Sequence, residues 1–429
     1  MATEIHALQK ACTWDLVPSS QATHILPCKW VYRIKRKSDG SIERFKARLV
    51  ANGFFQQDGI DYTETFSPVV KHVTIRIVLS LAISLGWSIR QLDVQNAFLH
   101  GHLTEEVYMR QPQGFEDPTR PHHVCQLRKS LYGLKQAPRA WFQRFSEYLL
   151  QLGFVGSKAD HSLFIYNTDG VYLLLLIYVD DILITGNQDC KIQSLITSLG
   201  KAFAMKDLGA LKYFLGIEAT RTATGLYLSQ HKYTCDLLVR AHMQDSKPCA
   251  TPVGSGSQLS ATDSVPLSDP REYRSVVGAL QYLTVTRPDI TYAVNQVCQH
   301  MHQPTLVHWI AVKRILRYLK GSPSDGLFFT PGSTSLVAFS DSDYAGDPDS
   351  RWSTGGFCLF LGPNLISWSS KKQRTVARSS TESEYRQMAI TTTEIVWVRQ
   401  LLLELSIPQP TPPVLWCDNT SSIALASNP

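Results

Sequence analysis

The hydrophobic pattern of residues 171–184 predicts two neighbouring strands joined by a tight turn. An apolar run at 173–177 is followed by Tyr178-Val179-Asp180-Asp181 and then by a second apolar run at 182–184, without Gly or Pro. We therefore expect the two acids at a turn on a sheet edge. Such carboxylates usually bind metal or take up a proton, because burying an unpaired charge is costly. A polar hairpin tip between core strands is the alternative.

A second acid has a matching setting upstream. Asp93 ends a segment in which Ile89, Gln91 and Asp93 share one face of a predicted strand. One carboxylate from this strand and two from the hairpin could hold Mg²⁺ ions that activate a 3′-hydroxyl and stabilise a leaving pyrophosphate. Phe98 could pack beneath an incoming sugar and exclude a 2′-hydroxyl. An ordinary core aromatic is the alternative.

Positive charge is concentrated in one short segment. Residues 29–48 hold eight basic residues against two acidic ones, a surplus as large as the net charge of +6 of all 429 residues. A turn signal at 38–41 (SDGS) predicts that the segment folds into a basic two-stranded flap. The flap could contact template phosphates or a nucleoside triphosphate. A solvated edge hairpin that deters strand pairing is the alternative.

The middle of the chain has a mainly helical pattern. Aromatic spacing predicts a helix at 141–149 that braces the sheet, and further helices are expected at 232–241 and over 275–320, with breaks at 287–289 and 303–304. The intervening Pro-, Ser- and Gly-rich segment 247–270 suits a mobile connection or a domain boundary. One apolar stripe runs along 309–319 beside basic positions. This helix either packs on a core with a wet basic face or lies along a duplex.

The pattern changes again after residue 335. Four strands are expected at 336–341, 355–360, 365–368 and 414–418, with a helix over 380–405. Ser379 is in position to cap that helix. Asp341 and Asp418 end two of the strands, and Glu384 lies in the first helical turn. Asp343 and Glu382 compete with Asp341 and Glu384 for the same roles, and a calcium-binding turn at 341–349 is a further alternative.

Composition excludes several classes of protein. The chain is 44% hydrophobic and can bury the cores of several domains. The first ten residues are too polar for a secretion signal, and the apolar run before Asp180 is too short to span a bilayer. Nine cysteines without a Cys-x-x-Cys pair argue against a zinc site or a disulfide framework and favour a reducing compartment.

An ordered series of motifs resembles the reverse transcriptases of copia-type LTR retrotransposons. The motifs are 29–32 (KWVY), 46–51 (KARLVA), 92–101 (LDVQNAFLHG), 130–141 (SLYGLKQAPRAW) and 178–181 (YVDD). The resemblance runs from about residue 13 to the last residue. It implies an α+β fold shaped as a right hand, with fingers and palm over 1–218 and a mostly helical thumb and connection over 219–334.

The resemblance also implies roles for individual residues. Asp93, Asp180 and Asp181 would be the catalytic residues that bind two Mg²⁺ ions, with Mn²⁺ as a substitute. Lys46 or Arg48 would bind the phosphates of the nucleotide, and Phe98 and Gln136 would lie in the rest of the pocket. A tight turn at Phe214, Leu215 and Gly216 would hold the primer terminus.

The C-terminal motifs 341–347 (DSDYAGD) and 379–385 (SSTESEY) resemble the ribonuclease H of the same elements. Residues 335–429 would then form a ribonuclease H-like domain that cuts RNA in RNA–DNA hybrids, with metals on Asp341, Glu384 and Asp418. The family continues through another strand and helix and supplies a fourth acid there. We therefore expect a C-terminally truncated domain with weak or absent cleavage.

The implied function is an RNA-directed DNA polymerase of a copia-type retrotransposon. Its partners would be an RNA template, a DNA primer, the RNA–DNA hybrid and deoxynucleoside triphosphates, with no membrane and with an open oligomeric state. A catalytically dead nucleic-acid-binding remnant of a decayed element is the alternative, and a purely structural protein is disfavoured. The resemblance implies cytoplasmic virus-like particles, and a nuclear location stays open.

Overall fold

The computed structural model describes the chain except for residues 37–40, 255, 257, 410 and 429, together with the side chains of residues 35, 36 and 43. The chain divides into two compact units. The first unit comprises Met1–Val70 and Arg90–Gly209, and the second comprises Lys71–Ile89 and Ala210–Pro429. No helix in the described part of the chain is both long enough and apolar enough to cross a membrane.

The described residues form ten α-helices and twenty strands. The helices are α1 (Ala2–Lys10), α2 (His72–Ser84), α3 (Ala137–Gln151), α4 (Asp189–Ala202), α5 (His231–Arg240), α6 (Arg271–Leu283), α7 (Thr291–Cys298), α8 (Leu306–Gly321), α9 (Ser380–Glu404) and α10 (Thr420–Ser427). The strands are β1 (Trp14–Pro18), β2 (Ile25–Leu26), β3 (Cys28–Arg36), β4 (Ile42–Ala51), β5 (Ser88–Val94), β6 (His102–Met109), β7 (His123–Lys129), β8 (Val155–Gly156), β9 (Leu163–Thr168), β10 (Val171–Tyr178), β11 (Asp181–Gly186), β12 (Met205–Ala210), β13 (Tyr213–Phe214), β14 (Ile217–Arg221), β15 (Leu226–Ser229), β16 (Gly326–Phe329), β17 (Leu336–Ser342), β18 (Thr354–Leu361), β19 (Asn364–Lys372) and β20 (Val414–Trp416).

The central sheet of the first unit has the order β12-β5-β11-β10-β9-β8. Its strand β10 is buried on both faces, from Leu173 to Ile177, which explains the unbroken apolar run in the sequence. Helices α3 and α4 supply Trp141, Phe145 and Leu199 to the core of this sheet. Predictions of a strand pair at 171–184 and of an aromatic helix bracing the sheet are therefore confirmed.

A smaller sheet and a separate hairpin complete the first unit. The sheet has the order β1-β7-β6-β2, and the hairpin pairs β3 with β4 in antiparallel register. The strands of the expected basic flap are thus present. Residues 38–40 of its predicted turn lie outside the described residues, so the turn itself stays a prediction.

Helices α5–α8 form the core of one part of the second unit. The predicted breaks are confirmed, since α6 ends before Arg287 and α8 begins after Pro304. Val312, Ile315 and Leu319 form the buried stripe of α8, as expected. The segment 247–270 lacks helix and strand in its described residues, and its role as a mobile connection or a domain boundary stays a prediction. Its Cys249 and Leu267 amides donate to carbonyls of residues 317 and 304, at 3.3 and 2.9 Å.

The C-terminal part of the second unit is a sheet of order β19-β18-β17-β20 that packs against α9. Strands β17–β19 are antiparallel neighbours, whereas β20 pairs parallel to β17. Helix α9 begins as predicted, with the Ser379 hydroxyl accepting the Glu382 amide at 3.1 Å. The four predicted strands and the long helix of this region are confirmed.

Helix α2, which the sequence analysis did not predict, is anchored in the second unit by a buried arginine. The Arg76 guanidinium donates to the carbonyls of Ile366 and Val285 at 2.9 and 3.0 Å and lies 3.8 Å from the centre of the Trp368 ring. Burial lowers the pKa of this guanidinium to about 9. A charged group this deeply buried must be fully paired, so Arg76 is a structural residue.

Candidate functional site

The hairpin between β10 and β11 presents two acids at its tip. Tyr178 pairs with Asp181, which leaves Val179 and Asp180 as the turn. Val179 has a φ of 55°, a strained value for a β-branched residue. The indole N–H of Trp141 donates to the Val179 carbonyl at 2.7 Å and holds the turn in this conformation.

Asp93 is brought to this hairpin by strand β5, which lies beside β11 in the sheet. The amide of Val94 donates to the Asp180 carbonyl at 2.9 Å, so the backbones of the two acidic segments are joined directly. Asn96 then adopts a φ of 53°, and a single 3-10 turn at Ala97–His100 carries Phe98. The sequence-predicted acids Asp93, Asp180 and Asp181 therefore meet at one end of the sheet.

The electrostatics of this cluster favour a cation. Burial, followed by the negative charges of Asp180 and Asp93, raises the pKa of Asp181 to about 6, although a hydrogen bond from Gln91 opposes the shift. Burial and then Asp180 also raise the pKa of Asp93, against the opposing charges of Lys46 and nearby bases. Carboxylate oxygens are the ligands that Mg²⁺ prefers, and a cation would relieve this repulsion.

The basic flap turns one face toward these acids. On its paired strands Arg33 lies opposite Lys46, and Val31 lies opposite Arg48. Lys46 and Arg48 both counteract the raised pKa of Asp93, which places their charge near the carboxylates. The Nε of Arg48 is buried without a hydrogen-bond partner among the described residues. An unpaired buried donor of this kind is suited to an anionic group.

The other two predicted nucleotide-binding residues differ in their surroundings. Phe98 is half-buried, and its ring meets that of Tyr132 edge to face at 5.1 Å. Gln136 is only 2% exposed. Its amide accepts from Gln56 at 2.9 Å and donates to the carbonyl of Asp61 at 2.8 Å. The geometry favours Gln136 as a support for this loop, and nucleotide binding by Gln136 stays a prediction.

The predicted primer-holding turn is a two-residue turn in the second unit. It joins β13 to β14 through Leu215 and Gly216, with φ angles of 49° and 74°. The Tyr282 hydroxyl donates to the Leu215 carbonyl, and a Cβ at position 216 would lie 2.1 Å from that hydroxyl oxygen. Phe214 is buried. The tight turn is confirmed, whereas its contact with a primer stays a prediction.

A second acidic cluster lies in the C-terminal sheet. Asp341 is on β17, Asp418 follows β20, and Glu384 in α9 accepts the Ser342 amide at 3.0 Å. Burial, opposed by this hydrogen bond and assisted by Asp341 and Asp418, raises the pKa of Glu384. The three predicted acids are therefore close together.

Cys417 belongs to the same cluster. Ligand atoms of Glu384, Cys417 and Asp418 all lie within 4.8 Å of one another, and no other such group of three was found within the described part of the chain.

The competing acids of the C-terminal region have other partners. Asp343 accepts the Thr354 amide at 2.7 Å, and Glu382 forms an ion pair with Arg386 at 2.7 Å. Asp347 forms an ion pair with Lys372 at 2.6 Å, a contact that helps to lower its pKa to about 2 despite partial burial. The geometry thus favours Asp341 and Glu384 for the second cluster and disfavours a calcium-binding turn at 341–349.

Three residues that contact the first site were not singled out as site residues by sequence. Gln91 shares a strand face with Asp93, and that alternation was the available signal. Trp141 could be recognised only as a core aromatic, because its bond to the carbonyl of residue 179 is a tertiary contact. Tyr132, within the motif at 130–141, contacts both Phe98 and Arg48.

Comparison with known proteins gives a consistent result. A family model described as "Reverse transcriptase (RNA-dependent DNA polymerase)" matches residues 11–255. The whole chain is 52% identical to the "Retrovirus-related Pol polyprotein from transposon RE2" of Arabidopsis thaliana and 53% identical to that of transposon RE1, covering 30% and 29% of those proteins. It is 42% identical to the corresponding protein of transposon TNT 1-94 from Nicotiana tabacum, covering 33% of it. The chain thus spans about a third of the length of these curated relatives.

Proposed function

The chain belongs to the reverse transcriptase family of copia-type retrotransposon Pol polyproteins, and from that premise we propose that it is an RNA-directed DNA polymerase. It extends the 3′-hydroxyl of a DNA primer on an RNA template with deoxynucleoside triphosphates. The observation that carries the proposal is the meeting of Asp93 with Asp180 and Asp181, joined through the Val94–Asp180 backbone bond, with the carboxyl pKa raised by burial at Asp93 and Asp181.

In this proposal Asp93, Asp180 and Asp181 hold the metal ions. When bound, a pair of Mg²⁺ ions, or Mn²⁺ in their place, would activate the primer hydroxyl and stabilise the leaving pyrophosphate. An all-carboxylate donor set suits these hard cations. Gln91 orients Asp181 through its hydrogen bond.

Lys46 and Arg48 bind the triphosphate in this proposal. Their charges act on Asp93, and the Nε of Arg48, which has no hydrogen-bond partner among the described residues, can donate to a phosphate oxygen. Phe98 packs beneath the sugar and excludes a 2′-hydroxyl. The turn at residues 214–216 supports the primer terminus. In the same scheme 1–218 are fingers and palm, and 219–334 are thumb and connection.

A second candidate activity is cleavage of RNA in RNA–DNA hybrids by residues 335–429. The observation that favours it is the cluster of Asp341 and Asp418, at adjoining strand ends, with Glu384 near the start of α9. These acids would hold Mg²⁺ or Mn²⁺ for hydrolysis. The test is the rate of hybrid cleavage by the chain compared with that of a Glu384→Gln variant.

Primer extension tests the polymerase proposal. The purified chain is given an RNA template, a DNA primer, deoxynucleoside triphosphates and Mg²⁺, beside a variant with Asp180→Asn and Asp181→Asn. Asp169→Asn is the matched control, because it removes a charge from an exposed turn whose φ of 53° asparagine also adopts. We expect extension by the parent and the control but not by the double variant.

The alternative of a catalytically dead remnant gives a different result. Such a protein would bind a hybrid in a salt-dependent manner yet would extend no primer. Extension that persists in the double variant would overturn the assignment of these carboxylates. We propose that the partners of this chain are an RNA template, a DNA primer, the RNA–DNA hybrid and deoxynucleoside triphosphates. We propose that it acts on them inside the cell.

A further inference from the structure

Tyr132 lies between two residues that the proposed function assigns to nucleotide binding. The guanidinium carbon of Arg48 is 4.4 Å from the centre of the Tyr132 ring, in cation–π geometry. The ring of Phe98 meets the same tyrosine edge to face at 5.1 Å. Tyr132 thus contacts both the proposed phosphate-binding side chain and the proposed sugar-contacting side chain.

The backbone fixes this tyrosine firmly. Its carbonyl accepts the amide of Ala51, the last residue of β4, at 2.8 Å. Gly133 follows with a φ of 93°, and a Cβ there would lie 2.1 Å from the Ala51 carbonyl oxygen. Only glycine allows so close an approach, so the segment is pressed against the end of the strand that carries Arg48. Movement of the ring relative to that strand is therefore restricted.

The surroundings of the ring connect it with the carboxylate cluster. Burial raises the pKa of the Tyr132 hydroxyl; the charge of Arg48 opposes this, and Asp180 and Asp93 add to it. Arg48 stacks on the ring while its Nε has no hydrogen-bond partner among the described residues. A guanidinium held by a ring face keeps its in-plane donors available for an anion.

We propose that Tyr132 is a positioning residue that sets both nucleotide affinity and the preference for deoxyribonucleotides. Its ring holds Arg48 in place for the triphosphate and limits the movement of Phe98 against the sugar. The proposal rests on the proposed polymerase function for the identity of the ligand. It concerns the aromatic ring and not the hydroxyl, because the hydroxyl makes neither of the two contacts.

Nucleotide binding can be measured without catalysis, which separates this proposal from the polymerase proposal. The protein is bound to a primer–template whose primer lacks a 3′-hydroxyl, and the Kd values for the complementary dNTP and for the matching rNTP are measured. We expect Tyr132→Leu to weaken dNTP binding about tenfold and to reduce the dNTP preference by a similar factor. The control Tyr132→Phe keeps the ring and should remain within about twofold of the parent on both measures.

A second variant guards against misfolding of Tyr132→Leu. Arg48→Lys keeps the positive charge but loses the stacked guanidinium, so it should weaken dNTP binding to a similar extent. Both substitutions disrupt the same contact between the Arg48 guanidinium and the Tyr132 ring. The double variant should therefore bind dNTP no more weakly than whichever single variant binds it less tightly. Additive losses would overturn the proposal, as would a Tyr132→Leu protein with unchanged affinity and preference. A Tyr132→Phe protein as impaired as the Tyr132→Leu protein would also overturn it.

If the parent binds nucleotide but extends no primer, the polymerase proposal alone fails; if it binds none, both proposals fail.

Discussion

Replacing Asp181 with asparagine should stabilise the protein while abolishing primer extension. The Asp181 carboxyl has its pKa raised from 3.8 to about 6, first by burial and then by Asp180 and Asp93. A raised carboxyl pKa means that the native state holds the proton more tightly than the unfolded state does. The contribution of protonated Asp181 to the stability of the folded state is therefore complete below pH 3.8 and is lost as the pH rises through about 6. At pH 7 the ionised group works against folding.

The size of the effect follows from the same pKa. If the whole pKa shift of Asp181 counted toward stability, its charge at pH 7 would lower the free energy of unfolding by about 3 kcal/mol. The carboxylate is partly exposed, so solvent screening reduces this to about 1 kcal/mol. Asparagine removes the charge and keeps an oxygen that can accept the Gln91 hydrogen bond. We therefore expect Asp181→Asn to raise the Tm of the first unit by roughly 2–4 °C at pH 7.

Thermal unfolding with EDTA present, at pH 7 and at pH 4, measures this effect. The stabilisation by Asp181→Asn should be present at pH 7 and should shrink toward zero at pH 4. The control Asp169→Asn should shift stability by less than about 0.5 kcal/mol at either pH. A Tm for Asp181→Asn at or below that of the control at pH 7 would refute the reasoning, because it would show that the native state does not strain this carboxylate.

Three further outcomes follow from the structure. At Mg²⁺ concentrations well below saturation, primer extension should slow by up to about tenfold for each pH unit below about 6, because protons compete with Mg²⁺ for Asp181; rates measured from pH 5 to 8 check this. Gly133→Ala should lower the free energy of unfolding by about 3 kcal/mol, because the new Cβ would lie 2.1 Å from the Ala51 carbonyl oxygen; a urea titration measures this. The control Gly200→Ala, which places its Cβ in open space on α4, should be neutral or stabilising. Arg76→Met should lower the free energy of unfolding by about 3 kcal/mol, because it leaves two buried carbonyls without donors. A loss under about 1 kcal/mol in the same urea titration would contradict this prediction.

The elements of the first site could be predicted because local pattern and tertiary environment agree there. The apolar run before Asp180 is unbroken because β10 is buried on both faces, and a tight turn is the only way to expose the acids that follow. The helix after Ser379 could be predicted for a similar reason, since its cap is a contact between residues three positions apart.

The remaining features depend on contacts between distant parts of the chain. Nothing local indicates that Gln136 is buried against Gln56 and the carbonyl of residue 61. Composition alone also does not indicate that a loop rich in Pro, Ser and Gly, such as 247–270, donates backbone amides to carbonyls of residues 317 and 304. The part played by Tyr132 appears only when the end of β4 and the 3-10 turn at Phe98 are brought to it.

Counting bound metal ions tests most directly whether Asp93, Asp180 and Asp181 form a two-metal site. Mn²⁺ binding is measured by electron paramagnetic resonance on the chain with a terminated primer–template and dNTP, in a Glu384→Gln background that weakens the second cluster. We expect about two more ions per chain in this background protein than in the same protein carrying Asp93→Asn and Asp181→Asn. Equal numbers of bound ions in the two proteins would contradict the assignment of this cluster as the metal site.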